Sequence, residues 1–335
     1  MSELRWNPLL GEWVATATHR QNRTFLPPEN FCPLCPTKPG RFPTEVPEPT
    51  YDIVAFENLF PSLLPIPEPP AVEGTPLYPV RPSQGECEVL IYSPQHDTTL
   101  AQEPVEKIDK LVRVWTDRFA ELGARDYVKY VFIFENKGEA IGVTLHHPHG
   151  QIYAYPFVPP RIKRELEESR AHSERTGSCL FCDILAEEVR DGRRVVAENE
   201  AFIAFIPFFA RWPYETHIYS KRHAQALTDF TRDEQRALAE VLKMTLAAFD
   251  KLFNLSFPYM MVMHQRPTDA PEAYDYYHFH IEFYPPLRTA TKLKYLAGSE
   301  TGAGMFINDT LPEVKAAELR ALVEPVVWTP HDGSV

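Results

Sequence analysis

Apolar residues along this chain recur with two periods that alternate. In 103–123, Val105, Ile108, Leu111, Val112, Trp115 and Phe119 fall three or four apart, the spacing of one helix face. On either side, 86–93 and 129–136 are dense in β-branched and aromatic residues and read as strands. Before them, 3–18 reads as two short strands around a turn at Leu10-Gly11. The order then repeats. Residues 200–207 and 214–220 read as strands. Thr231 and Glu234 form a capping box that opens a helix running to about Phe253. Strands follow at 258–264 and 276–284. A charged helix over 161–174 joins the halves, and a last helix covers about 312–323. Each half is thus strands, one long helix, and a strand ending in a histidine motif. That is an α+β layer, not the βαβ alternation of a dinucleotide fold.

The motifs repeat with the elements. CPLC (Cys32, Cys35), EVLIYSPQH ending at His96, and HPHGQ occupy the first half; CLFC (Cys179, Cys182), ETHIYSKRH ending at His223, and HFHIE occupy the second. The last two motifs are separated by 51 residues from His96 to His147 and by 55 from His223 to His278. YVFIF (130–134) and YMMVM (259–263) also stand at equivalent places. Two diverged copies of one unit follow, with 1–160 as the first half and 161–335 as the second.

The string HHPHGQ (146–151) carries the sharpest chemistry. On an extended strand His147, His149 and Gln151 share one face, about 7 Å apart. Pro148 offers no N–H to a ladder, so this is not an ordinary central strand. Gly150 has no Cβ, so a ligand can approach the backbone there. A neutral imidazole is a nucleophile, and an amide can donate to a phosphate oxygen. Cys32, Cys35, His96 and His147 supply two sulfurs and two nitrogens, a closed tetrahedral set for zinc. By the repeat, Cys179, Cys182, His223 and His278 form a second set, with His217, His264, His280 and Glu282 as competing ligands. Two Zn2+ sites per chain are therefore expected. Cys87 is left over and reads as a buried small residue.

Composition narrows the class. A net charge of −12 argues against a general nucleic-acid or membrane binder. No apolar run reaches membrane-spanning length, MSELRWNPLL is not a signal peptide, and a cytoplasmic location follows by default. No G-x-x-x-x-G-K loop is present, which argues against a P-loop NTPase. Of the 33 prolines many fall in 27–82, which should be extended and loop-rich.

HPHGQ, FENKG (134–138), RWNPLLGEWV, HRQNR (19–23), SPQH and HIEFYPP together resemble the galactose-1-phosphate uridylyltransferases of the histidine-triad superfamily, over nearly the whole chain. The resemblance implies a duplicated histidine-triad-like unit, mainly antiparallel sheet, in a homodimer with its active site near the subunit interface. It implies UMP exchange between UDP-glucose and galactose 1-phosphate. The nucleophile lands on His149, with Gln151 beside it and the zinc-ligand imidazole on His147. Substrate contacts land on Arg20, Arg23, Asn58, Asn136, Thr144, Lys294 and Glu300. The chain departs from members whose second metal set is one Glu and three His, since Glu282 stands at the last of these. It departs again at Ser299 and Phe306, where some members carry Tyr and Gln against the hexose. An imidazole nucleophile splits one difficult transfer into two easier ones, which makes a ping-pong scheme natural. An ADP-sugar or dinucleotide phosphorylase on the same scaffold is the alternative. HPHG rather than H-P-H-S leans towards uridylyl transfer. A non-catalytic binding protein would not need His149, Gly150 and Gln151 intact.

Overall fold

In the computed structural model, residues 2–22, 31–40 and 42–329 are described. The first half contributes β1 (Ser2–Asn7), β2 (Glu12–Ala17), β3 (Val54–Glu57), β4 (Val80–Pro82), β5 (Glu86–Ile91), α1 (Val105–Gly123), β6 (Tyr130–Lys137) and β7 (His149–Tyr155). The second contributes α2 (Pro160–Thr176), α3 (Leu180–Asp191), β8 (Val195–Glu198), β9 (Phe202–Phe205), β10 (Thr216–Ser220), α4 (Arg232–Leu252), β11 (Tyr259–His264), β12 (His280–Tyr284), β13 (Leu287–Thr289), β14 (Lys292–Leu293) and α5 (Pro312–Arg320).

Nine of these strands form one sheet in the order β3-β5-β7-β6-β11-β12-β10-β9-β8. All of its pairings are antiparallel. The order reads nearly the same from both ends, as a duplication requires. The halves are sewn together at β6 and β11, in register from Tyr259↔Lys137 to Met263↔Ile133. The repeated strings YVFIF and YMMVM are thus neighbours across the seam.

Helices α1 and α4 cover one face of the sheet. The helical stripe read from the sequence is the buried one: Val105, Ile108, Leu111, Val112, Trp115 and Phe119 all enter the core with Val131, Ile133 and Ile152. Thr231 caps α4 as its sequence predicts, with the Glu234 N–H donating to Thr231 Oγ1 and the Thr231 N–H donating back to Glu234 Oε2. The other face is treated differently in the two halves. In the second, α2 and α3 bury Phe205, Tyr219 and Tyr277. In the first, the half-buried residues Phe132, Phe134, Gln151, Tyr153 and Tyr155 line it.

Three expectations need correction. The histidine motifs do not end their strands; His149 and His280 open β7 and β12. Pro148, with no N–H for the ladder, accounts for the start of β7; before β12 the Phe279 N–H is taken instead by the Ala224 carbonyl at 2.7 Å. The strand expected over 276–284 is only His280–Tyr284. The helix α3, which carries CLFC in its first turn, was not anticipated; Gly177, with φ of +76°, ends α2 and lets a second helix start at once. The proline-rich stretch is loop-rich as expected, with only β3 and β4 as strands among its described residues. Among the described residues no helix is long and apolar enough to cross a membrane.

Candidate active site and metal centres

Cys32, Cys35, His96 and His147 converge from three separate loops, with one ligand atom of each inside a 4.8 Å cluster. Cys35 Sγ lies 3.5 Å from Nδ1 of both His96 and His147. Zinc bonds of ~2.3 Å to sulfur and ~2.0 Å to nitrogen place S and N about 3.5 Å apart at a tetrahedral angle, so the set fits the ion. The far nitrogen of His147 donates to the Ser93 carbonyl at 2.8 Å, which leaves the Nδ1 lone pair facing the thiols. Burial holds this imidazole neutral, with its pKa lowered to about 4. Burial and the neighbouring Cys32 push the Cys35 thiol up to about 12. A bound metal ion would reverse that shift, because a coordinating thiol is deprotonated.

The second set repeats the first. Cys179, Cys182, His223 and His278 form a cluster of the same size. Cys182 Sγ lies 3.5 Å from Nδ1 of His223 and of His278, and His278 Nε2 is 2.9 Å from the Ser220 carbonyl. Ser93 and Ser220 come from the repeated Ile-Tyr-Ser string, so the orienting carbonyl was duplicated with the ligands.

Two residues past His147 stands His149. Its Nδ1–H donates to the His147 carbonyl at 2.7 Å, which fixes the tautomer with its lone pair on Nε2. His149 lines two cavities at once. One is bounded by Leu34, Asn58, Leu59, Phe60, Val89 and Gln151; the other by Thr99, Asn136, Lys137, His146 and Ser256. Gln151 Oε1 accepts from Asn58 Nδ2 at 3.5 Å and from the Tyr153 hydroxyl at 3.3 Å. With its oxygen so engaged, the amide presents its NH2 as donor. Gly150 is required here, although not for the reason its sequence context suggests. A Cβ at 150 would collide with the Tyr92 hydroxyl, so what approaches the backbone is a side chain of the protein itself.

The remaining candidates divide. Arg20 reaches the first cavity's rim by donating to the Phe60 carbonyl at 2.9 Å, and Asn58 and Asn136 line the cavities as expected. Arg23 lies outside the described residues. Thr144 lines neither cavity, yet its buried Oγ1 has no hydrogen-bond partner among the described residues. Lys294 and Glu300 pair with each other at 3.4 Å, and neither lines a cavity at His149.

His280 is the structural counterpart of His149, with Nδ1 2.9 Å from the His278 carbonyl. It is only 1 % exposed, under the Phe181 ring of α3 at 4.7 Å. It joins Glu165, His264 and Glu282 in a third group able to hold an ion. Here the competition is from cations already present. Arg161 holds Glu282 at 2.6 Å, Arg211 lies 3.8 Å from it, and Glu165 accepts from His264 at 2.9 Å. The sequence reading flagged His264, His280 and Glu282 but missed Glu165. It lies in a charged helix, where a carboxylate looks like ordinary solvated surface. It also missed Tyr51, whose hydroxyl donates to the Ser93 carbonyl at 2.9 Å beside His147.

Known proteins share this architecture. The model of the galactose-1-phosphate uridyl transferase N-terminal domain matches residues 1–159, and that of the C-terminal domain residues 165–327. The chain is 44% identical to the galactose-1-phosphate uridylyltransferase of Thermotoga maritima over 96% of its length and 98% of the relative's. It is 34% identical to that of Rattus norvegicus, covering 96% and 88%. A solved uridylyltransferase structure superposes with a TM-score of 0.86 at 39% identity, covering 96% of this chain and 98% of that one. An ADP-glucose phosphorylase from Arabidopsis thaliana superposes with 0.71 at 25%, covering 96% and 98%. With the two family models matching 1–159 and 165–327 and the duplicated sheet in place, the chain belongs to the galactose-1-phosphate uridylyltransferase family, transferases of galactose metabolism that move UMP between UDP-glucose and galactose 1-phosphate.

Proposed function

We propose that this chain carries out the family's exchange by a ping-pong route through a covalent uridylyl-His149. The observation that carries this reading is the position of His149 between two cavities, with its tautomer set by the His147 carbonyl. The cavity with Leu34, Phe60 and Val89 takes the uridine; the one with Asn136 and Thr99 takes the sugar phosphate. His149 Nε2 attacks the α-phosphorus of UDP-glucose. The N–P bond forms, the P–O bond breaks, and glucose 1-phosphate leaves with its electron pair. A phosphate oxygen of galactose 1-phosphate then attacks the same phosphorus and releases the imidazole as UDP-galactose forms. Gln151 donates its NH2 to a non-bridging oxygen as charge redistributes, and Arg20, with Arg23, balances phosphate charge. Thr144 holds its hydroxyl in reserve for a phosphate oxygen.

Zinc is the ion we assign to the two Cys2His2 sets, where it would supply folding free energy; in the first set it would also hold, through His147, the segment carrying His149. Four filled positions leave it no place for the phosphate. Paired reduced thiols fit a reducing compartment, the cytoplasm. The first half (1–160) bears the chemistry. In the second (161–335), Lys294 and Glu300 lie off the cavities of their own chain, beside exposed Tyr295, Met305 and Ile307. That placement supports a homodimer in which they serve the neighbouring site.

The ADP-sugar phosphorylase reading shares the scaffold and differs in base and acceptor. Offering the enzyme UDP-glucose or ADP-glucose, each with phosphate or galactose 1-phosphate, separates them; turnover is expected with UDP-glucose plus galactose 1-phosphate. Turnover only with ADP-glucose and phosphate would replace the reading. Gln151→Ala is expected to lose on the order of 10²-fold in kcat, measured in steady state. An unchanged kcat with a raised KM would make Gln151 a simple binding residue. Metal analysis is expected to give two zinc equivalents per chain, falling to one in Cys179→Ser with a lowered unfolding temperature. A third equivalent that survives that change would place an ion among Glu165, His264, His280 and Glu282.

A further inference from the structure

Two consecutive residues that the reaction does not use stand behind the HPHG segment. The Tyr92 N–H donates to the Pro148 carbonyl at 3.1 Å, and the Ser93 carbonyl accepts from His147. The Tyr92 hydroxyl occupies the space behind Gly150 where a Cβ would stand. Its ring packs edge-on against Trp115 of α1, 6.3 Å between centroids. Although the side chain is 1 % exposed, its hydroxyl has no partner at hydrogen-bond distance among the described residues.

Behind Gly150 the Tyr92 hydroxyl shares its space with the Phe134 carbonyl of β6, and the next residue, Glu135, is the charged group that acts on that hydroxyl. Glu135 is 3 % exposed and forms part of the wall of the sugar-phosphate cavity. Its Oε1 accepts from the Tyr259 hydroxyl of β11 at 3.2 Å, while its buried Oε2 has no partner among the described residues. The other charged groups around it are Lys137 on the same strand and Asp250 of α4, which pair at 2.7 Å. Two phenol donors and an ammonium suit an ionised carboxylate, which can only accept. A bond from Tyr92 to that anion is of the charge-assisted, stronger kind.

The second half lacks the device. Ile281 stands where Gly150 stands. The pairing Ile91↔His149 becomes Tyr219↔His280, one residue out of step with the repeat. A one-residue slip turns a side chain to the other face. Tyr219, the counterpart of Tyr92, accordingly packs on Phe181 at 5.7 Å, beside His280 rather than behind its strand. The arrangement behind Gly150 therefore goes with the half whose histidine faces the cavities.

We propose that Glu135 is a positioning residue for His149: as the carboxylate it captures the Tyr92 hydroxyl, and that tie fixes the Gly150 backbone and the aim of the adjoining imidazole. The inference rests on His149 as the nucleophile. Burial pushes Glu135 up to about 7, so a proton from solvent undoes the tie just below neutrality.

The test is steady-state uridylyl transfer between UDP-glucose and galactose 1-phosphate across pH, for wild type, Glu135→Gln and Tyr92→Phe. Tyr92→Phe removes one oxygen and keeps the ring on Trp115. Both variants are expected to lose about tenfold in kcat near pH ~8, with both KM values unchanged within about twofold, as a loss of alignment requires. As pH falls the wild-type advantage in kcat should shrink and the three profiles converge, because protonated Glu135 no longer ties Tyr92 in any of them. Wild-type kcat in both variants would overturn the proposal. So would a lower kcat whose ratio to wild type stays constant across pH, since a merely structural role would give that. A wild type that transfers no uridylyl group at any pH would instead refute the proposed activity, and this inference with it.

Discussion

Three bonds made by residue 147 hold the site together. Its Nδ1 faces the Cys35 thiol, its Nε2–H donates to the Ser93 carbonyl, and its own carbonyl accepts the Nδ1 proton of His149. One residue thereby joins the candidate metal set, the segment that follows β5 and the proposed nucleophile. On that proposal the imidazole needs no general base, because its lone pair is placed by a backbone acceptor. Loss of either thiol would then free the strand as well as the ion, and the role proposed for the metal is mechanical.

Duplication left a second, nearly identical constellation that the proposed reaction does not use. His278 and His280 keep the bonds to the Ser220 and His278 carbonyls. What changed is the covering. Helices α2 and α3 close the face above His280, and Glu165 and Glu282 surround it with charge balanced by Arg161 and Arg211. The copy became a buried ionic core, worth little for stability by itself but costly to break. The first half kept the same face open and lined it with Gln151 and aromatic rings.

The metal sets were legible because thiols and imidazoles repeated in the same order admit few other uses, and their convergence follows from the sheet order that the duplication imposes. The helices were legible from Val105 to Phe119 because their stripe faces the core alone. Glu165, Tyr92 and Tyr51 were not. Each acts through a contact across more than 40 residues of sequence, and no local pattern marks the partner. Gly150 was singled out for a ligand's approach, whereas its neighbour is Tyr92, just past β5, which the motif does not mark. The pairing of Lys294 with Glu300 away from His149 was likewise invisible, since a motif fixes residue types and not the chain on which they act.

The central claim is that His149 Nε2 carries the uridylyl group between substrates. Mixing the enzyme with UDP-glucose alone, quenching in alkali where phosphohistidine survives, and mapping the adduct by peptide mass spectrometry tests it most directly. The account predicts one UMP per chain, on the peptide containing His149, with release of an equal amount of glucose 1-phosphate. An adduct on another residue, or glucose 1-phosphate release only when galactose 1-phosphate is also present, would contradict it.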